Sequence, residues 1–257
     1  MTKLNELLGK TGRRETEPLG FGRSAKRAER TPDILLIGRV RASDLAGLDL
    51  KKSPVDAFLL EADEVDAKLL QTASSALEGA VWGVRAKRVT SDAVESLKKA
   101  EADFVVFAAS DTPASVLSEE KLGSFLQVIP DLSEEDAQAV HALPVDGVAI
   151  EVDSDLFPFT IETLIRLHRA LSAGEHAIVL SDFDPKALSA GDLEALRNAG
   201  VSALALSATG KSNLESLRKA IADLPEPKSA HDERLALIPH VSTAGEDEDY
   251  GDEDDDF

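Results

Sequence analysis

Short apolar runs rich in β-branched residues recur along the chain and alternate with stretches of helical periodicity. The runs are 33–40, 55–61, 80–86, 103–109, 125–129, 145–152, 177–181 and 201–207, with starts 20 to 32 residues apart. That interval holds a strand, a turn, a helix of about three turns and a return loop. Helix-start signals fall between them: Thr90-Ser91-Asp92 ahead of Ala93–Ala100, Ser133 to Asp136 ahead of Ala137–Leu143, and Asp184-Pro185 at a first turn. In each, a capping side chain or an acidic residue sits where the helix end is positive. Gly79, Gly123, Gly174 and Gly200 fall near expected helix ends, where a left-handed closing residue is favoured.

Strict alternation with crossovers of this length implies parallel strands and right-handed connections. Eight such units close naturally into an α/β (β/α)8 barrel spanning 31–224, with an open doubly wound sheet as the alternative. In a barrel, alternate strand residues face the axis and the helices, so side-chain size sorts by parity. Phe58 and Leu60 oppose Ala57, Leu59 and Glu61; Trp82 and Val84 oppose Gly83 and Arg85; Val148 and Ile150 oppose Ala149 and Glu151; Leu204 and Leu206 oppose Ala205 and Ser207. Placing the small residues at the axis puts Glu61, Arg85, Glu151 and Ser207 at the C-terminal strand ends. Ser110, Gln127 or Asp131, and Ser181 follow by the same logic, and Arg39 joins if Leu35 and Ile37 face inward.

A polar ring at that end is where barrels of this kind carry their chemistry. It has a structural reading too, in which Arg39, Glu61 and Arg85 form an ion-pair ladder that plugs the barrel opposite Glu151. Lys87, Asp111, Asp153, Asp182 and Lys211 lie a few residues beyond and are placed to line the mouth.

Charge adds the ends of the chain to the picture. The net charge is −20, from 48 acidic and 28 basic side chains, so a phosphate backbone is repelled and nucleic acid is not an expected partner. Residues 1–30 carry eight Lys/Arg against four Glu and read as a flexible, disordered basic arm with a short amphipathic start at Leu4, Leu7 and Leu8. Residues 245–257 carry nine Asp/Glu and read as a disordered acidic tail, and 225–244 as a docking segment or linker. The two charged ends are candidates for engaging a protein partner. No run is long and apolar enough to span a membrane and no signal peptide is evident, so a cytoplasmic protein is expected. With no cysteine, thiol nucleophiles, zinc–thiolate sites and disulfides are excluded.

Ala205 to Ser212 fits a loose phosphate-loop pattern with a single glycine. It makes better sense as the turn from the eighth strand into a helix beginning near Asn213, with Ser207, Thr209, Gly210 and Ser212 presenting donors at the helix start. The segment from Ala187 to Leu224 resembles the last two βα units of aldolase-type TIM barrels that bind ribulose-phosphate-like substrates. That resemblance implies a phosphate held by the loops after strands seven and eight. Asp182 and Asp184, with Asp153 and Asp155 one unit away, are an alternative oxygen-ligand set for magnesium. No metal site or cofactor is expected to be dedicated.

Two functions remain open on these residues. The first is a lyase or isomerase for a small anionic metabolite, phosphorylated or not. Glu151 would be the acid/base, Glu61 its orienting partner, and Arg85 and Lys87 the stabilisers of developing negative charge; Arg39, Ser181, Ser207, Thr209, Gly210 and Ser212 would bind the ligand. The second is a non-catalytic barrel that binds or scaffolds through its charged termini. An open cavity above Glu151 would favour the first, and a mouth closed by pairing of Glu61 with Arg39 and Arg85 the second.

Overall fold

The computed structural model describes residues 2–11, 32–45, 53–119, 121–152, 159–209 and 211–225. Eight parallel strands form a closed barrel in chain order. They are β1 (Leu35–Arg41), β2 (Ala57–Ala62), β3 (Trp82–Ala86), β4 (Phe104–Ala108), β5 (Gly123–Val128), β6 (Gly147–Val152), β7 (Ala177–Ser181) and β8 (Ala203–Ser207), with β8 hydrogen-bonded back to β1. This is the TIM-barrel architecture, so the open-sheet alternative falls.

Helices α2 (Ala67–Ala76), α3 (Ser91–Lys99), α4 (Glu134–His141), α5 (Ile161–Leu171), α6 (Ala190–Ala199) and α7 (Lys211–Ala222) follow β2, β3, β5, β6, β7 and β8. Local chemistry starts two of them as read, with Thr90 capping α3 and Ser133 capping α4; Asp184-Pro185 instead opens a 3-10 turn at Pro185–Ala187, and α6 starts on a capping box of Ser189 with Asp192. Gly200 ends α6 in the left-handed region at φ 103°. Gly123 is instead the first residue of β5. The unit after β4 carries only a 3-10 turn at Ala114–Ser118, and the one after β1 a 3-10 turn at Ala42–Asp44 before residues outside the description, so not every interval carries a described α-helix.

Two apolar layers separate by strand parity. Leu36, Phe58, Trp82, Val105, Leu126, Ile150, Val179 and Leu204 face the helices, whereas Leu35, Ile37, Leu59, Phe104, Val106, Phe125, Ile178 and Leu180 fill the axis. Small inward residues on other strands make room for the large ones. A Cβ on Gly83 would stand 2.4 Å from the Phe104 carbonyl oxygen and 2.5 Å from its ring, and one on Gly147 would stand 3.0 Å from the Phe125 ring. Phe104 and Phe125 meet edge-on at 5.9 Å between centroids.

The size rule therefore holds on β2, β3, β6 and β8 and inverts on β7, where Ile178 and Leu180 point inward. Ser181 consequently faces outward, fully buried, and donates to the Val152 carbonyl at 2.9 Å. This corrects its expected place in the polar ring: the inward residue at the end of β7 is Asp182.

The N-terminal end of the barrel is closed by α1 (Lys3–Leu8), whose Leu4 and Leu8 are fully buried in the axial layer. The expected flexible arm thus begins as a docked helix, and residues 12–31 lie outside the description. Asp103, at the entry to β4, accepts the Lys3 and Leu4 backbone N–H groups at 2.9 and 2.7 Å. Asp146, ahead of β6, accepts the Asn5 amide at 2.5 Å and the Ser124 N–H at 2.7 Å. Asp56, ahead of β2, accepts the Leu36 N–H at 2.8 Å and pairs with Arg218 of α7 at 2.5 Å. The chain from 226 to 257, including most of the expected docking segment and all of the acidic tail, lies outside the described residues.

Candidate functional site

Register brings the polar residues together. Glu61 pairs directly with Arg85 across β2 and β3, and Gln127 stands beside Ala108 and Ala149 across β4 to β6. Arg39 sits one step lower on β1, opposite Leu59, so its side chain reaches up from the axis to the Glu61 carboxylate. The result is a continuous ionic chain. Asp182 pairs with Arg39 at 3.0 Å, Arg39 with Glu61 at 2.5 Å, Arg85 with Glu61 at 3.3 Å, and Arg85 with Glu151 at 2.7 Å. Gln127 accepts from Arg85 Nε at 3.3 Å and donates to Glu151 at 2.8 Å.

Burial grades along the chain. The Arg39 side chain is 7% exposed, Arg85 18%, Glu61 25% and Glu151 44%. Arg39 is therefore a floor residue, Glu151 is more open to solvent than Glu61 or either arginine, and Asp182 at the end of the chain is 80% exposed. The two glutamates share a geometry. Oε1 of Glu61 accepts from Nε and Nη2 of Arg39 and from Nη1 of Arg85, while Oε2 of Glu151 accepts from Arg85 and Gln127. Among the described residues, the other oxygen of each carboxylate takes no hydrogen bond.

Above this floor opens a cavity of about 810 Å³, lined by Glu61, Arg85, Gln127 and Glu151 below and by Arg41, Asp63, Glu64, Lys87 and Asp111 around the rim. Lys87 reaches the mouth as expected, but its ammonium is paired with Asp63 at 2.7 Å and both side chains are 82% exposed. The hydrogen bond from Lys87 holds the Asp63 carboxyl below its ordinary value, and the same bond raises Lys87. Asp131 is outside the ring, bound to Arg166 of α5.

At the end of β8, Ser207 and Thr209 are exposed and their hydroxyls bond each other at 2.8 Å. Gly210 and the side chains of Lys211 and Ser212 lie outside the described residues, as do Asp153 and Asp155. Asp184 caps the turn at Pro185–Ala187 by accepting from the Lys186 N–H at 3.1 Å. Among the described residues, no three His, Asp or Glu side chains gather to hold a metal ion, and no helix is long and apolar enough to cross a membrane.

Sequence reasoning missed Asp182 as a ring member, because its parity depends on which way β7 faces. The signal was the inversion on β1: once Leu35 and Ile37 face inward, large residues are admitted to the axis and the size rule loses its force for Ile178 and Leu180.

No family model and no curated protein matches the chain. Solved structures do match. The tryptophan synthase alpha-subunit of the hyperthermophile Pyrococcus furiosus superposes with a TM-score of 0.53 at 12% identity, over 74% of this chain and 97% of that one. The structure of the tryptophan synthase a2b2 complex from the same organism gives 0.53 at 13% identity over the same shares. At such identities the likeness is one of fold alone, the closed eight-stranded parallel barrel.

Proposed function

We propose that the C-terminal mouth is the working site of a barrel enzyme that moves a proton on a small polar metabolite, a lyase or isomerase with Glu151 as its acid/base. The observation that carries this reading is the half-engaged Glu151 carboxylate at the base of an open cavity. Arg85 and Gln127 fix one oxygen and leave the other without a hydrogen bond among the described residues, on a side chain that lines the cavity, as a proton-transferring group requires. Glu61 acts through Arg85 as a positioning residue, and Arg39 anchors Glu61 from below. Lys87 stands at the rim as a secondary ligand contact, and the Ser207–Thr209 turn at the end of β8 is a further candidate.

The test is thermal stability of the purified protein against sugar phosphates, carboxylic acids, amines, nucleotides and divalent metals, repeated with Glu151→Gln. A ligand that binds only the native state raises its melting temperature by mass action. A shift from one ligand class that the substitution removes supports the reading, and turnover of that ligand, absent in Glu151→Gln, would establish the enzyme.

A second reading is favoured by one specific contact set. Glu61 is shared by both arginines, so the floor also answers to the description of a structural plug under a non-catalytic binding barrel. A flat response across the whole panel would move the assignment there and direct the search to a protein partner of the charged ends.

A further inference from the structure

The mouth differs from an anion site in how its charges are used. Both floor arginines are committed: Arg39 bridges Asp182 and Glu61, and Arg85 bridges Glu61 and Glu151. The rim ammonium of Lys87 is held by Asp63. An incoming phosphate or carboxylate would have to displace a carboxylate already bound to Arg39, Arg85 or Lys87, gaining one ion pair by breaking another; of the cavity's cations only Arg41 has no ion pair among the described residues.

Negative charge is left over. The cavity is lined by three cations, Arg41, Arg85 and Lys87, against five carboxylates. Two of those carboxylates, Glu61 and Glu151, are linked through Arg85 and each keeps an oxygen without a hydrogen bond among the described residues. Such oxygens are strong acceptors waiting for a charged donor, and a cavity whose fixed charges sum below zero concentrates cations.

We infer that the mouth takes a ligand bearing a primary ammonium, with the ammonium donating to the unengaged oxygens of Glu61 and Glu151. This deepens the proposed function and rests on it: the metabolite is an amine, the opposite in charge to the anion expected from the sequence. The rest of the ligand lies toward the rim, where the paired Lys87 and Asp63 offer contacts.

The experiment is isothermal titration in physiological salt with 1,4-diaminobutane and L-arginine, beside malate and glycerol 3-phosphate, on four proteins: wild type, Glu151→Gln, Arg85→Gln and Glu175→Gln. Glu175 is an exposed carboxylate on the loop entering β7, at the opposite end of the barrel, so its removal changes net charge equally without touching the mouth. Amine binding should weaken about tenfold or more in Glu151→Gln, the effect of losing one charge-assisted contact. It should be unchanged in Glu175→Gln and tighten in Arg85→Gln, where Glu151 loses its competing cation and Glu61 keeps only Arg39; the opposite direction of that change keeps the result distinct from loss of folding.

Equal binding in Glu151→Gln and Glu175→Gln would reduce the effect to general attraction to an acidic protein and overturn the inference. Binding of the anions alone, lost in Glu151→Gln, would overturn it while leaving the proposed site in place. Silence with every probe would remove both.

Discussion

The two ends of this barrel close the same axial column by different means. At the N-terminal end, Leu4 and Leu8 of α1 complete the apolar axis, and aspartates at the strand entries bind backbone N–H groups. At the C-terminal end the column stops at Arg39, and arginines and glutamates neutralise one another below an open cavity. Apolar filling needs no partner beyond its own surface, so it closes completely. A charged ring must keep its members solvated or paired, and whatever pairing leaves over remains available to a ligand. The division matches the one usual in this architecture, with stability at the N-terminal end of the barrel and the proposed site at the other.

The sharpest way to break the comparison is to empty the plug. Leu4→Ala with Leu8→Ala should cost about 5 kcal/mol, since single buried Leu→Ala changes cost about 2–5 kcal/mol each. Urea unfolding measures this, and a loss below about 1 kcal/mol would show that α1 is an ornament on a self-sufficient barrel.

Next in size is the ring. Glu61→Ala leaves the 7%-exposed Arg39 with only Asp182, and breaking one side of a buried pair costs about 3 kcal/mol. Adding Arg39→Met should recover most of that loss, because the stranded charge is removed with its partner. If the double variant is no better than the single, the ring contributes by net attraction and is not merely self-cancelling.

A smaller effect tests how the plug is held. Asp103→Ala removes the acceptor of two backbone N–H groups at the start of α1 and should cost about 2 kcal/mol, the range for hydrogen bonds to a charged group. Hydrogen exchange at Lys3 and Leu4 should accelerate together; protection that survives would mean the apolar contacts alone hold the helix.

The smallest effect belongs to the rim. Asp63 is depressed below 3.8 and Lys87 raised above 10.5 by their mutual hydrogen bond. What the pair contributes is fully present between those ordinary values, and is lost as pH falls through the depressed carboxyl or rises through the raised ammonium. Lys87→Met should return the Asp63 midpoint, followed by NMR, to the ordinary carboxylate range while leaving the unfolding midpoint unchanged. A midpoint that does not move would mean something other than Lys87 holds the Asp63 carboxyl down.

Much of this was legible because it depends on period. Strand positions followed from apolar runs, and the ring members Glu61, Arg85 and Glu151 from alternation, with Gln127 or Asp131 left open on the fifth strand, since each strand's inner face repeats every second residue. Ser181 and Asp182 exchanged places because size alone does not decide which face of Ala177–Ser181 is inner. That choice depends on how much axial volume Phe104, Phe125 and the inward side chains of β1 already fill. The docked helix at Lys3–Leu8 was visible only as three leucines, and six residues are too few to form a helix without a surface to bury them on.

The sequence by itself determined the eight-unit parallel alternation, the starts of α3 and α4, the closing glycine of α6, and the presence of charged residues at the strand ends, all consequences of local spacing. Only the tertiary structure decided which of those charges pair, that α1 closes one end, and that an oxygen of Glu61 and one of Glu151 take no hydrogen bond from the described residues at the other. Pairing depends on the stagger of strands far apart in the chain, and no local pattern carries that information.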